Sequence, residues 1–333
     1  MNLKFKQILI LLLISIMIGC DRDSINTPLK DDGVPPNPPS GLNVWRARDG
    51  QVGIEWFRNT EAGTKGYNIY RSINDTIKFM LLAYTNDDFF LDTGLEYDST
   101  YYYKLTSIDI FDNEGKFSPT VFAKPENYFK PITPFDSRIN ARNWNDSIYI
   151  YLSWVPTGDT DIKQYNIYRD TIPNFEIAAE KLHDSTYQIN YSDTSNIQLL
   201  IKYYYKVTAV DKGNLQSEPT RELTDIIFNK PKIIFPENNA EISFLSALEI
   251  ELISEPADYK IVIQKNEFFD IIREINFSTD EVDVNRTIPI SNIVLESYRY
   301  YYWRVITYSN SSSEPNSFTD INNFKIVPQN IEE

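Results

Sequence analysis

The stretch Tyr101–Asp109 reads YYYKLTSID, so that polar and apolar side chains alternate along it. It returns as YYYKVTAVD at Tyr203–Asp211 and, in a more divergent form, as YYWRVIT at Tyr301–Thr307. Aromatic and β-branched residues of this kind favour a β-strand, and the stretch recurs about every 100 residues. The repeat predicts tandem β-sandwich domains of roughly that size.

The alternation also predicts which face of the strand lies in the core. In the first copy Tyr101, Tyr103 and Leu105 share one face. Lys104 lies on the other, so the first face is predicted to be buried. Each lead tyrosine is expected to bury its ring and to return its hydroxyl group to nearby backbone, as in a tyrosine corner. The apolar residues six positions before the lead tyrosines are predicted to be buried against them: Leu95, Ile197 and Leu295.

Two further strands recur in the same register. The first is predicted at Val52–Trp56, Ile148–Trp154 and Leu248–Leu252. The second is predicted at Tyr67–Arg71, Tyr165–Arg169 and Tyr259–Ile263. The third copy has a shorter connection between these strands and lacks the tryptophan, which makes it the divergent member of the array.

This order of segments resembles the fibronectin type III domain. The resemblance rests on a proline-rich start, the strand with tryptophan, the Tyr-x-Ile-Tyr-Arg strand, the Leu-x5-Tyr-x-Tyr motif and a closing turn at Ser118-Pro119 and Ser217-Glu218-Pro219. It implies an all-β chain of three immunoglobulin-like sandwiches used for spacing and binding, and it implies no reaction. The predicted domains are residues 40–124, 131–229 and 231–327, followed by a tail at residues 328–333.

Residues 1–19 have the features of an export signal. Lys4 and Lys6 precede the apolar run Ile8–Ile18, which is shorter than the ~20 residues that a membrane-spanning helix needs. The run leads into Gly19 and Cys20, a pattern that resembles the lipobox of bacterial lipoproteins. By that resemblance Cys20 becomes the mature N-terminus and carries a diacylglycerol anchor. The alternative is a plain secretory signal with a chance cysteine.

Residues 20–39 are predicted to be the lipidated cysteine and a flexible tether that becomes proline-rich at its end. Multiple acyl chains make such an anchor stable. These features predict a protein held on a membrane of the bacterial cell envelope. We expect the outer membrane, at its periplasmic face or at the cell surface.

The charge of the chain argues against one class of partner. Lys and Arg number 32 against 47 Asp and Glu, which gives a net charge of −15. Nucleic-acid binding needs basic surface to replace counterions, so no nucleic-acid partner is predicted. Solubility and resistance to self-association are enough to explain the acidic composition.

Few residues could support catalysis. His183 is the only histidine and precedes Asp184 and Ser185 in a predicted loop, where we expect it to face solvent. The members of a catalytic triad come from separate elements, so this local cluster does not predict one. A zinc site is not predicted from one histidine and one cysteine. The sequence therefore predicts a protein that is not an enzyme and that needs no cofactor.

Two acidic loops, Asp109–Glu114 and Asp159–Asp161, leave calcium binding open as an alternative, because oxygen-rich loops hold this ion. Neither loop has the spacing of a known calcium loop, and acidic turns are common in bacterial members of the family that the chain resembles. No metal site is therefore predicted.

Aromatic side chains on the outward strand faces suggest another kind of site. Sugar rings stack on exposed aromatic rings, and a ligand stripe would consist of Tyr70, Tyr102, Tyr168, Tyr204 and Tyr302. The alternative, favoured because these positions are generic for the fold, is that the tyrosines form cross-strand pairs that stabilise a solvent-facing sheet. The pairs Phe89-Phe90 and Phe268-Phe269 are expected to lie partly in the core.

The predicted function is that of a membrane-anchored, non-enzymatic adhesion, adaptor or scaffold protein of the envelope. Binding would use loops at the sandwich ends or exposed sheet edges. The alternative is a carbohydrate-binding accessory lipoprotein that captures polysaccharide. The sequence names neither the envelope protein nor the polysaccharide that would be the partner.

Overall fold

The computed structural model describes residues 30–145 and 147–328. The predicted export signal, Cys20 and most of the tether lie outside the described residues. Within those two ranges the regular structure is β-strand, apart from one turn of 3-10 helix at Ala179–Lys181.

The first sandwich has seven strands in two antiparallel sheets. They are β1 (Ser40–Arg48), β2 (Gln51–Phe57), β3 (Thr64–Ile73), β4 (Met80–Thr85), β5 (Phe89–Asp92), β6 (Tyr101–Asp109) and β7 (Val121–Ala123). One sheet has the order β1-β2-β5 and the other the order β4-β3-β6-β7.

The second sandwich repeats this arrangement. Its strands are β8 (Phe135–Trp144), β9 (Ser147–Val155), β10 (Ile162–Asp170), β11 (Leu182–Thr186), β12 (Asn190–Asp193), β13 (Lys202–Asp211) and β14 (Leu223–Ile226). The sheets have the orders β12-β9-β8 and β11-β10-β13-β14.

The third sandwich departs from this pattern at its edges. Its strands are β15 (Lys232–Phe235), β16 (Ala240–Ile242), β17 (Ala247–Glu251), β18 (Ala257–Gln264), β19 (Ile271–Thr279), β20 (Asn285–Pro289), β21 (Tyr300–Tyr308), β22 (Ser317–Phe318) and β23 (Asn322–Ile326). One sheet is β15-β17-β20. The other is built on β19-β18-β21, with β22 and β23 paired to β21 and β16 parallel to β23.

Each sandwich closes over its own core of alternate side chains. In the first, the rings of Trp56 and Tyr67 meet edge-on with centroids 5.3 Å apart. In the second, Trp154 and Tyr165 repeat the contact at 5.2 Å. Leu252 takes the place of the tryptophan in the third core and is 1 % exposed. These cores and sheets confirm the predicted all-β fold of tandem sandwiches.

The lead tyrosines form the predicted corners. Each ring is buried, and each hydroxyl oxygen accepts a hydrogen bond from a backbone N–H five residues upstream. The N–O distances are 2.8 Å for Glu96 to Tyr101, 2.9 Å for Gln198 to Tyr203 and 2.7 Å for Glu296 to Tyr301.

The apolar residues that precede the corners follow the prediction in two copies of three. Leu95 and Ile197 are buried, at 3 % and 8 % exposure. Leu295 packs against the third core but is only partly buried. It lies in a more open loop, where the neighbouring Val294 is 88 % exposed.

Candidate functional site

A buried ion network joins three strands of the second sandwich. Asp193, at the end of β12, is fully buried, and its Oδ2 accepts hydrogen bonds from Arg169 Nη1 and Tyr205 Oη at 2.7 Å each. The first sandwich repeats the arrangement with Asp92, Arg71 and Tyr103. A buried carboxylate needs such charge-assisted donors, so the network fixes where β12 lies against β10 and β13.

The third sandwich has an apolar version of the same network. The strand registers place Ile263, Ile288 and Trp303 at the equivalent positions, and all three side chains are buried. One fold position is therefore filled by an ion network in two sandwiches and by hydrocarbon in the third.

His183 does not face solvent, so this prediction is wrong. It lies on β11 at a register shift in the pairing with β10. Its side chain is 14 % exposed, and its Nε2 lies 3.0 Å from Asp193 Oδ1. The prediction fails because strand pairing brings His183 against the carboxylate of Asp193, which is ten positions away in sequence.

Ser195 completes a Ser–His–Asp cluster that lacks the connectivity of a catalytic triad. Ser195 Oγ lies 3.2 Å from His183 Nε2, the same nitrogen that contacts Asp193. In a triad the carboxylate holds Nδ1 while the hydroxyl group contacts Nε2. Here both oxygens contact one nitrogen, so the imidazole cannot relay a proton between them. The arrangement is that of a structural contact around a buried charge.

The charge of Asp193 is held by its donors. Burial raises the pKa of the carboxyl, but hydrogen bonds from His183, Tyr205 and Arg169 outweigh burial and place the pKa below its ordinary value. Burial, together with the negative charge of Asp193, raises the pKa of Tyr205. The network therefore keeps an ionised carboxylate and a neutral phenol at neutral pH.

The carboxylates of the loop Asp109–Glu114, which had been considered for calcium binding, accept hydrogen bonds from groups of the protein. Asp109 Oδ1 accepts hydrogen bonds from the backbone N–H groups of Phe111 at 2.9 Å and Asn113 at 2.8 Å. Glu114 Oε1 accepts one from Tyr70 Oη at 2.6 Å. Among residues 30–145 and 147–328 no group of three or more His, Cys, Asp or Glu side chains could hold a metal ion.

The five tyrosines of the predicted ligand stripe lie on three sheets, one in each sandwich: Tyr70 and Tyr102 on the first, Tyr168 and Tyr204 on the second, and Tyr302 on the third. Four are partly buried, but Tyr168 is 6 % exposed, contrary to expectation, and its hydroxyl oxygen accepts a hydrogen bond from Gln216 Nε2 at 2.8 Å. Tyr70 packs edge-on against Phe117, with centroids 5.0 Å apart. The ring of Tyr168 is thus unavailable for stacking, and a sugar-binding role for the other four stays a prediction.

A different set of aromatic rings, which the sequence reasoning missed, is exposed on the first sandwich. Trp45, Phe57 and Phe89 lie on the outer face of the sheet β1-β2-β5 and are 47 %, 72 % and 53 % exposed. The prediction that Phe89 lies partly in the core is therefore wrong, whereas Phe90 is partly buried against the first core as predicted. The Trp45 ring lies so close over Gly53 that a Cβ there would stand 2.4 Å from it, and Phe57 covers Gly41 in the same way. We call Trp45, Phe57 and Phe89 the aromatic platform.

The paired phenylalanines of the third sandwich are also at the surface. Phe268 and Phe269 are 84 % and 64 % exposed, so the prediction that they lie partly in the core is wrong. They form the tip of the β18–β19 hairpin, where Asn266 Oδ1 accepts hydrogen bonds from both of their backbone N–H groups. The turn geometry, rather than burial of the rings, decides their position.

Polar contacts close the joint between the first and second sandwiches. Lys212 Nζ donates a hydrogen bond to Glu96 Oε1 at 2.5 Å, and Tyr97 Oη donates one to Asp161 Oδ2. Burial raises the pKa of Asp211 at this joint, and the negative charge of Asp161 adds to the effect.

The second and third sandwiches share a sheet. β22 pairs in parallel with β8 at Ser317 and Asn143, so one path runs β12-β9-β8-β22-β21-β18-β19. Asn316 is fully buried beside this pair. Its Oδ1 accepts a hydrogen bond from the Phe228 N–H at 2.9 Å, and its Nδ2 donates one to the Ile226 carbonyl at 2.8 Å. These contacts set the orientation of one sandwich on the other.

The described part of the chain contains no helix that is long and apolar enough to cross a membrane. No protein-family model matches the sequence, and the comparison with curated proteins found no similar sequence. Among solved structures, the FN1-FN3 domains of chicken CNTN1 are similar at 12 % identity and a TM-score of 0.35, over 89 % of this chain and 100 % of that one. Since a likeness at that level carries no functional argument, the sheets and cores above define the chain: an all-β protein of tandem sandwiches.

Proposed function

We propose that the protein is a lipid-anchored bacterial envelope protein that acts as a non-enzymatic scaffold or adhesion module. The observation that carries the proposal is the array itself, in which sandwiches with separate cores are joined by polar contacts and by a shared sheet. Such joints hold surface loops at a fixed spacing, which is what a scaffold requires. The anchor at Cys20 would tie the array to the outer membrane.

The Cys20→Ser variant should move from the membrane fraction to the soluble fraction, because serine cannot carry the thioether-linked lipid. We expect near-complete release after detergent-free lysis, measured by fractionation and immunoblotting of the tagged full chain. In-cell cross-linking should recover a discrete envelope protein with the wild-type chain and much less of it with the variant.

Ser24→Ala is the matched control, since it changes a tether residue and leaves the cysteine in place. It should partition like the wild-type chain. Unchanged membrane partition of the Cys20→Ser variant would rule out the lipid anchor. A chain that is anchored but cross-links only to polysaccharide would instead support the second candidate function.

The second candidate, capture of polysaccharide, is favoured by the aromatic platform. The platform presents three rings next to the exposed polar side chains of Glu55 and Asp88, in a depression of about 560 Å³. The apolar faces of sugar rings pack on aromatic rings of this kind. The hydroxyl groups of a sugar can donate hydrogen bonds to the two carboxylates. The combination suits a glycan better than a purely apolar partner.

Replacing Trp45 by Ala should reduce retention on a polysaccharide that the wild-type chain binds, because the stacking surface over Gly53 is lost. We expect about a tenfold weakening, equivalent to ~1.4 kcal/mol, measured by affinity electrophoresis in gels that contain soluble plant or bacterial polysaccharides. Phe268→Ala removes an exposed ring elsewhere, at the β18–β19 tip, and should leave retention unchanged. Equal retention of the Trp45 variant and the wild-type chain would exclude the platform as the sugar site.

A further inference from the structure

A cleft of about 730 Å³ lies between the second and third sandwiches. One wall is formed by β8 and β9 together with the segment 221–224, and the other by the segment 310–314, which connects β21 to β22. Asn140 Nδ2 donates to the Glu314 carbonyl at 3.4 Å across the base of the cleft. Because the two sandwiches share a sheet, the walls are fixed relative to each other, and the volume is in the range typical of ligand sites.

Three guanidinium groups line this cleft in a chain whose net charge is −15. Arg138 is paired with Asp136 at 2.9 Å. Arg142 and Arg221 contact only neutral partners, and neither forms an ion pair with a described carboxylate. Acidic side chains are in excess in this protein, yet these two arginines have no acidic partner. An anionic ligand would supply the negatively charged hydrogen-bond acceptor that both guanidinium groups lack.

Arg142 is held in place before any ligand arrives. Its Nε donates to Asn140 Oδ1 and its Nη1 donates to Tyr149 Oη at 3.1 Å. Its Cζ lies 4.3 Å from the ring centroid of Trp144 and 4.9 Å from that of Tyr151. A guanidinium group that is already oriented loses little conformational freedom on binding, which favours recognition of a planar carboxylate.

The acids at the cleft do not cancel this charge. Glu222 is turned to partners of its own, since its Oε1 accepts a hydrogen bond from the Asn174 N–H at 3.1 Å and its Oε2 lies 4.0 Å from Lys206 Nζ. Glu314 is exposed at the rim. The interior of the cleft is therefore cationic.

The remaining lining is rich in hydroxyl groups. Ser137 is 3 % exposed, and its Oγ, like Thr224 Oγ1, is buried without a hydrogen-bond partner in the protein. Further hydroxyl groups come from Ser153 and from the serines of segment 310–314. The apolar lining residues Ile139 and Leu223 are buried. A lining of hydroxyl groups, each both donor and acceptor, matches a ligand that itself carries many hydroxyl groups.

We propose that this cleft binds an acidic oligosaccharide, with Arg142 and Arg221 recognising carboxylates of its uronic acid residues. The hydroxyl groups of Ser153 and of the serines of segment 310–314 line the cleft and would hydrogen-bond to sugar hydroxyl groups. The inference is independent of the lipid anchor and of the aromatic platform, because it rests on residues of the second and third sandwiches.

Isothermal titration of the full chain with oligogalacturonates of three to six residues tests the inference. We expect saturable binding that weakens as the salt concentration rises, and no binding of cellohexaose, a neutral oligosaccharide of similar length. Absence of saturable oligogalacturonate binding would overturn the proposal. Equal binding of poly-L-glutamate or inorganic sulfate would also overturn it, because the cleft would then take anions without regard to sugar.

Arg221→Gln should weaken oligogalacturonate binding at least tenfold, since it removes one guanidinium group and keeps an exposed polar side chain. Arg273→Gln, on the exposed edge strand β19, makes the same change in charge outside the cleft and should leave affinity unchanged. Equal losses in both variants would point to net charge alone and contradict the site. The Trp45→Ala variant should bind as the wild-type chain does, which separates this cleft from the platform.

Discussion

Replacing Asp193 by Ala is expected to lower the free energy of unfolding of the second sandwich by about 3–5 kcal/mol. The substitution leaves the guanidinium group of Arg169 and the hydroxyl group of Tyr205 buried without their acceptor. An uncompensated buried charge is among the most costly defects that a point mutation can create. Urea denaturation gives the magnitude, and hydrogen exchange of peptides from β9, β10 and β13 assigns the loss to this sandwich.

Asp136→Asn is the matched control in the same sandwich. It breaks the exposed pair with Arg138 and should change stability by less than ~1 kcal/mol, as surface ion pairs do. Asparagine also suits the positive φ of 46° at this position. If the Asp193 variant were as stable as the Asp136 variant, the buried network would not be a stabilising element.

The stability that the wild-type chain has over the Asp193→Ala variant should depend on pH, because the pKa of Asp193 is lowered in the folded state. Burial opposes ionisation, yet the donors hold the folded-state pKa below the ordinary Asp value. A carboxyl with a lowered pKa contributes stability above its unfolded-state pKa of about 3.9 and loses it as the pH falls toward the folded-state pKa. The difference between wild-type and variant stability should therefore be full at neutral pH and shrink below about pH 4.

The third sandwich indicates how the lost stability can be restored. Its apolar version of the network suggests the combined variant Arg169→Ile, Asp193→Ile and Tyr205→Trp. Replacing a buried ion network by packed hydrocarbon is often neutral or stabilising by ~1–4 kcal/mol. The combined variant should therefore be far more stable than Asp193→Ala alone. A combined variant as unstable as the single one would mean that the second core cannot repack around the larger side chains.

The sequence predicted the strands and corners because those features repeat locally. Side chains alternate with a period of two in a strand, so the positions of Tyr103 and Leu105 follow from that of Lys104 alone. The corner hydrogen bonds also involve short sequence separations, five residues in each copy. Features of this kind need no knowledge of which strands pair.

The sequence did not predict the contacts that join distant strands. Asp193 lies 24 residues from Arg169 and 12 from Tyr205, and His183 reaches the network through the β10–β11 pairing. The sequence did contain a signal for the ion pair. An Arg and an Asp recur at corresponding positions in the first two copies, as Arg71 with Asp92 and as Arg169 with Asp193.

The aromatic platform could also have been found in part from the sequence. Trp56 was predicted to lie on a strand, and alternation places its neighbour Phe57 on the opposite face. The position of Trp45 over Gly53 depends on the pairing of β1 with β2, which the sequence does not specify. The same limit explains the error at Tyr168, whose burial depends on Gln216 beyond the far end of β13.

Replacing Asn316 by Ala should uncouple the third sandwich from the second. The amide side chain satisfies the Phe228 N–H and the Ile226 carbonyl at the end of the preceding sandwich, and alanine leaves both groups without a partner. Each unsatisfied buried group costs about 1–3 kcal/mol, so the joint should lose ~2–6 kcal/mol while the two cores stay intact. Small-angle X-ray scattering should show a broader distance distribution, and limited proteolysis should cleave between residues 228 and 232.

Asn310→Ala is the control, because it changes an exposed asparagine of the same connection between β21 and β22. It should leave both the scattering profile and the proteolysis rate unchanged. If the Asn316 variant scattered like the wild-type chain, the β8–β22 pairing alone would be enough to fix the two sandwiches. If the joint loosens as expected, the Asn316 variant should also bind oligogalacturonate more weakly, because the two walls of the cleft belong to different sandwiches. The geometry of the joint would then control a binding site as well as the spacing of the array.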